Sequence, residues 1–210
     1  MKKIKLAVLL GLGMVVSACS TFEGPTRNAP MLAPQLATAA PESEPRDYRL
    51  QAVRFAAPAD LTVSEANSFY PVADIVWRGD PMGDRKMQIS EIFQTAIRQG
   101  AEGLDGATPV IVDVTLARFH SLTERTRYSV GGVHSIKFDL TIRDAETGAV
   151  LEPTRRVNAD LPGLGGQAAI MAEQRGETQK VRILAHLTAL FRDNLTGLPG
   201  QGTTPDQPAS

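Results

Sequence analysis

The alternation of apolar and polar residues is most regular between Tyr128 and Arg143. Tyr128, Val130, Gly132, His134, Ile136, Phe138, Leu140 and Ile142 fall on one side, while Ser129, Ser135, Lys137, Asp139, Thr141 and Arg143 fall on the other. A period of two predicts a strand with one buried face and one wet or lightly covered face. Pro109 to Phe119 repeats the pattern, with Val110, Val112, Val114 and Leu116 opposite Asp113 and Thr115. Tyr48 to Phe55 reads as a first strand with imperfect alternation. Ala149 to Leu161 reads as a last one, interrupted near Pro153 because proline cannot donate to a ladder. The helical period appears twice. Ile89, Ile92, Phe93, Ala96 and Ile97 form one apolar stripe, with Asp84 placed to cap its start and Gly103 its end. Ile183, Leu184, Leu187, Leu190, Phe191 and Leu195 form the stripe of a helix over 167–196, whose first turns Gly176 splits off.

The predicted order is β-α-β-β-β-α. Consecutive strands favour an antiparallel meander, and the β-α-β unit places the first strand parallel to a neighbour through a right-handed crossover. Two amphipathic helices cover one face of a four-stranded sheet. The fold class expected is therefore α+β, a two-layer sandwich with a mostly antiparallel four-stranded sheet and two helices on one face.

The flanks differ. Residues 20–46 hold five prolines and no apolar period, which makes them a tether of at most about 90 Å extended and roughly 30 Å as a coil. Residues 197–210 are a polar, Pro/Gly-rich tail. The folded domain is expected at 47–196, large enough for a core. Residues 58–83 read as a long loop, unusual for its content of Phe69, Tyr70, Val72, Ile75, Val76 and Trp77.

Composition changes the picture at one residue. The chain has one cysteine, so an intramolecular disulfide and a cysteine zinc site are excluded. A formal charge of −1 argues against a general nucleic-acid or anionic-membrane binder. The cysteine, Cys19, follows Lys2, Lys3 and Lys5, an apolar run from Leu6 to Val16, and Ser17-Ala18. That run is shorter than the roughly 20 residues a membrane-spanning helix needs, and has the length of a signal-peptide core. Val16-Ser17-Ala18-Cys19 resembles the lipobox of bacterial lipoproteins. The resemblance implies removal of 1–18, lipidation of Cys19, and a membrane anchor through the attached chains. With Ser20 rather than Asp next, it implies the periplasmic face of the outer membrane. Loss of three lysines takes the charge of the mature chain to −4, which does not suit electrostatic membrane attachment.

Candidate chemistry is sparse. His134 lies on the apolar face and reads as a core histidine with a backbone partner; His120, at a strand end, reads as solvated; His186 lies off its helix stripe. Their spacing does not define a metal site, and neither a metal nor another cofactor is expected. There is no Gly-x-Ser-x-Gly elbow, and Gly163-Leu164-Gly165-Gly166 lacks the Lys-Ser/Thr of a phosphate loop, so it reads as a flexible approach to a helix. The charged 121–127 segment reads as a hairpin end. Phe69, Tyr70 and Trp77 have two readings: a patch for a partner or apolar ligand, or closure of the core edge.

Residues 74–84, 109–114 and 118–151 resemble uncharacterised bacterial lipoprotein families of unknown function. More loosely, the element order after a lipid tether resembles auxiliary lipoproteins of envelope transport systems and the lipopolysaccharide-assembly lipoprotein. The resemblance supplies no catalytic residue. The expectation is a non-enzymatic, lipid-anchored envelope protein with an envelope partner and no nucleic acid. The alternatives are a lipid-binding domain with its pocket under the 69–83 loop and, further off, a hydrolase.

Overall fold

The computed structural model describes residues 46–197. Cys19, the expected signal peptide, most of the expected tether and all but the first residue of the expected tail lie outside them. Four long strands build a sheet in the order β1 (Tyr48–Ala56), β3 (Thr108–His120), β4 (Gly132–Asp144), β5 (Val150–Asn158). β1 runs parallel to β3; β3/β4 and β4/β5 are antiparallel. Two short strands complete a six-stranded mixed sheet: β2 (Ile75–Val76) joins the end of β3 and β6 (Leu161–Gly163) the start of β4.

Among the described residues there are four helices, not two: α1 (Arg85–Gly100), α2 (Glu124–Arg127), α3 (Gly166–Gln174) and α4 (Gln179–Thr196). α1 begins where expected, with Asp84 accepting a hydrogen bond from Met87 N at 3.1 Å. Gly176, at φ +81°, separates α3 from α4, and Thr178 caps the latter. At Pro153 the β4/β5 register shifts, Leu140 facing Arg155 and Ile142 facing Glu152. The extra residue is a bulge of the kind a missing donor favours.

The core lies between one sheet face and the α1 and α4 stripes. Val110, Val112, Val114, Ile136, Phe138, Leu140 and Ile142 meet Ile89, Phe93, Ile97, Ile183, Leu187 and Phe191. Aromatic rings run through it edge to face: Trp77 on Phe119 at 5.5 Å, Phe93 on Phe138 at 5.1 Å. Such pairs add to area burial because a ring edge meets the negative face of its neighbour.

Two sequence expectations fail at the start of β4. Tyr128 and Val130 do not extend the apolar face; they follow α2 and are exposed. The 121–127 segment is not a solvated hairpin end, since Ser121, Leu122, Thr123 and Thr126 are buried. Thr123 caps α2, accepting from Thr126 N. Gly163–Gly166 serves a close crossing: a Cβ on Gly165 would lie 2.2 Å from Gly131 N. Only glycine allows two backbones so near.

Candidate functional site

Two regions near the end of β3 carry polar side chains into the interior. The first is the tip formed by the 63–74 loop and α2. The loop is closed at its base by Asp74, whose Oδ2 accepts from Thr62 N at 2.9 Å and Thr62 Oγ1 at 2.7 Å; those two bonds, the backbone one first, hold its carboxyl below the usual range. Thr123 Oγ1 donates to Ser68 O and Thr126 Oγ1 to Phe69 O, both at 2.7 Å. Arg125 N donates to Asn67 Oδ1. His120, expected to be solvated, is buried, because Pro71 and Tyr70 cover the end of β3. Its Nε2 lies 2.9 Å from Pro71 O. A carbonyl only accepts, so Nε2 carries the proton. Beneath, Glu65 accepts from Arg85 Nε and Nη2 with both carboxylate oxygens, and Arg78 bridges Glu65 and Glu124. The Arg85 hydrogen bonds hold the Glu65 carboxyl low.

The three sequence-predicted patch residues separate. Trp77 is fully buried, its indole N–H donating to Asp80 at 2.8 Å, and Gly79 leaves room for the ring. Trp77 and Ile75 thus close the core edge, and their side chains fill the space under the loop. Phe69 and Tyr70 are 55% and 68% exposed, and Val72 beside them is 97% exposed. Their positions are fixed nonetheless. The Arg125 guanidinium sits 5.3 Å from the Phe69 ring centre. Tyr70 stacks on His120 at 4.6 Å and accepts at its hydroxyl from Arg118. The result is two aromatic rings, each beside a cation, on a backbone held by buried hydroxyls. Such a surface recognises apolar and π surfaces. Of the pinning residues, the sequence reading took His120 as solvated and Thr123 and Thr126 only as part of a charged hairpin end. The legible signal was the cap itself: Thr123, then Glu124 in the first turn and Arg127 in the last.

The second region is a small cleft among α2, β4, α3 and α4, lined by Leu122, Arg127, His134, Leu164, Gln179 and Arg182. His134 is 1% exposed, as a core histidine should be, but its Nδ1 has no hydrogen-bond partner. Both amide atoms of Gln179, 4% exposed, are likewise unpaired. Burial, then the charges of Arg182 and Arg127, pushes the His134 imidazole down to about 4. The expected backbone partner is missing because β6 meets this stretch of β4 through main-chain pairing. His186, half-buried on α4, is lowered by burial. Among the described residues no group of three or more His, Cys, Asp or Glu is placed to hold a metal ion, and no helix is long and apolar enough to cross a membrane.

None of the curated proteins matches the chain. Among solved structures, a protein of the DUF330 family from Xanthomonas campestris is similar with 11% identity and a TM-score of 0.44, over 73% of this chain and 85% of that one. A Caulobacter crescentus protein named a "putative lipoprotein" is similar with 14% identity and a TM-score of 0.31, over 68% and 86%. The profile of a family of unknown function, DUF6778, matches residues 48–208, and the chain belongs to that family.

Proposed function

We propose that the protein is a lipid-anchored accessory component of the cell envelope that binds a protein partner at the Phe69–Tyr70–Val72 tip, without catalysis of its own. The anchor is supported by Val16-Ser17-Ala18-Cys19 at the end of an 11-residue apolar run behind three lysines, with Ser20 directing the chain to the periplasmic face of the outer membrane. One observation carries the partner site. The exposed rings at 69 and 70 stand on a loop whose carbonyls are held by the buried hydroxyls of Thr123 and Thr126. Exposed apolar rings gain nothing for folding, whereas a fixed ring beside a cation loses little conformational freedom on binding. The non-catalytic reading is supported by His120 and Ser121, which direct their side chains at backbone carbonyls.

A photoreactive amino acid at position 69, 70 or 72, in intact cells, tests the site. A discrete crosslinked partner is expected from these positions and not from Gln99 on α1. Recovery of the monomer alone from all three would end the proposal. The anchor is tested separately: Cys19→Ala should accumulate as an uncleaved precursor without lipid, and normal processing of that variant would refute it.

A further inference from the structure

Among the described residues, no helix lies over the face of the sheet turned away from α1 and α4. Register assigns its side chains: Arg49 and Arg54 on β1, Asp113, Thr115 and Arg118 on β3, Lys137, Asp139 and Arg143 on β4, Arg156 on β5. Six cations therefore stand against two carboxylates. Asp113 holds Arg143 at 2.7 Å and reaches Arg54 at 3.9 Å, and Asp139 holds Arg156. Arg118 donates to Tyr70. Arg49 and Lys137 have no ion-pair partner among the described residues. Asp74, just ahead of β2 and beside Arg118, adds a third carboxylate that keeps its charge while accepting from Thr62; Asp160 accepts from Ile136 N. Residues 46–197 as a whole carry 18 Lys and Arg against 19 Asp and Glu. With Asp74 counted, the three cations in excess on this face are matched by four anions in excess elsewhere, so the near-zero net charge conceals a two-sided molecule.

We infer that the open face of the sheet docks on an anionic phospholipid surface. The inference takes the anchored state from the function proposed above. The described chain begins at Arg46, just ahead of β1, which borders this face. The 26 residues between Cys19 and Arg46 reach at most about 90 Å, which keeps an anchored domain near its membrane, so a weak contact suffices. Each Lys or Arg at an anionic surface contributes a few-fold to binding, and a field summed over one face acts independently of the charge behind it within a Debye length of about 8 Å. An acidic protein would answer the same charge, but the lipid surface is the anion the anchor holds always within reach.

The test is co-sedimentation of the mature chain carrying Cys19→Ser, made without residues 1–18, with vesicles of equal parts phosphatidylcholine and phosphatidylglycerol. Binding is expected, absent on pure phosphatidylcholine and lost at about 1 M salt, where the Debye length is about 3 Å. R49E/K137E should weaken it at least about tenfold, R49Q/K137Q by less, and R98E/R175E, an equal charge change off this face, by under about twofold. Circular dichroism confirms that each variant folds. No binding to anionic vesicles at low salt overturns the inference. So does equal loss in R49E/K137E and R98E/R175E, or capture by polyglutamate without binding to vesicles, which assigns the face to an acidic partner. The chain tested carries no lipid, so its result is independent of Cys19 processing.

Discussion

The tip and the cleft lie on either side of α2, and both bury polar side chains. At the tip every one of them is partnered: Thr123, Thr126, His120 and Arg85 each reach an acceptor. In the cleft His134 Nδ1 and the Gln179 amide reach none. A buried polar group without a partner costs about 1–3 kcal/mol, while a partnered one is near neutral or better. The same chemistry is thus a positioning device in one place and a liability in the other. The difference comes from what lies opposite. The tip faces an irregular loop with free carbonyls, whereas in the cleft the Arg182 guanidinium takes Pro162 O of β6 and the α3 carbonyls serve helix turns.

The comparison can be broken first at its base. Trp77→Ala empties a fully buried site under the tip and should cost about 3–5 kcal/mol, read by chemical denaturation. A cost under 1 kcal/mol would mean the tip does not rest on the core. Next comes acid. His134 titrates near 4 when folded and near 6.5 when unfolded, so the unfolded chain binds more protons between those values. Stability is full above pH 6.5 and falls as pH drops toward 4, by about 3 kcal/mol from this group. His134→Leu should flatten that part of the pH–stability curve; an unchanged slope would place the titrating group elsewhere. Third, Thr126→Val leaves Phe69 O without its side-chain donor. A loss of about 1–3 kcal/mol is expected, together with faster proteolysis in the 67–72 loop. Smallest is Gln179→Leu, which replaces an unpaired amide by an apolar group of similar volume. It should be neutral or stabilising by up to about 1 kcal/mol, and clear destabilisation would show that the amide has a role in solution.

Much of this was legible in the chain because each signal was local. The α1 stripe, the Asp84 cap, the break at Gly176, the parallel β1/β3 pair and the disturbance at Pro153 all follow from periodicity, capping and missing donors. The misreadings share one cause. Tyr128 and Val130 continue the alternation of β4 by parity, yet the cap at Thr123 claims that segment for a helical turn. His120 looked solvated beside charged neighbours, but the residues that bury it are Tyr70 and Pro71, 50 and 49 positions earlier. Phe69 and Trp77 are alike in sequence. They part company because Ile75 and Val76 pair with the end of β3, which turns Trp77 inward and leaves the residues before it outside.

The two periodicities, hence which residues face the helices, and the Val16–Cys19 resemblance to a lipobox reside in neighbours along the chain and are legible there. Only the tertiary structure decided which apolar loop residues are core and which are surface, which buried polar groups find partners, and where the charge lies. A net charge is a sum, blind to position. Bringing Arg49, Lys137 and Arg156 onto one face takes three strands in register, and register is a property of the assembled sheet.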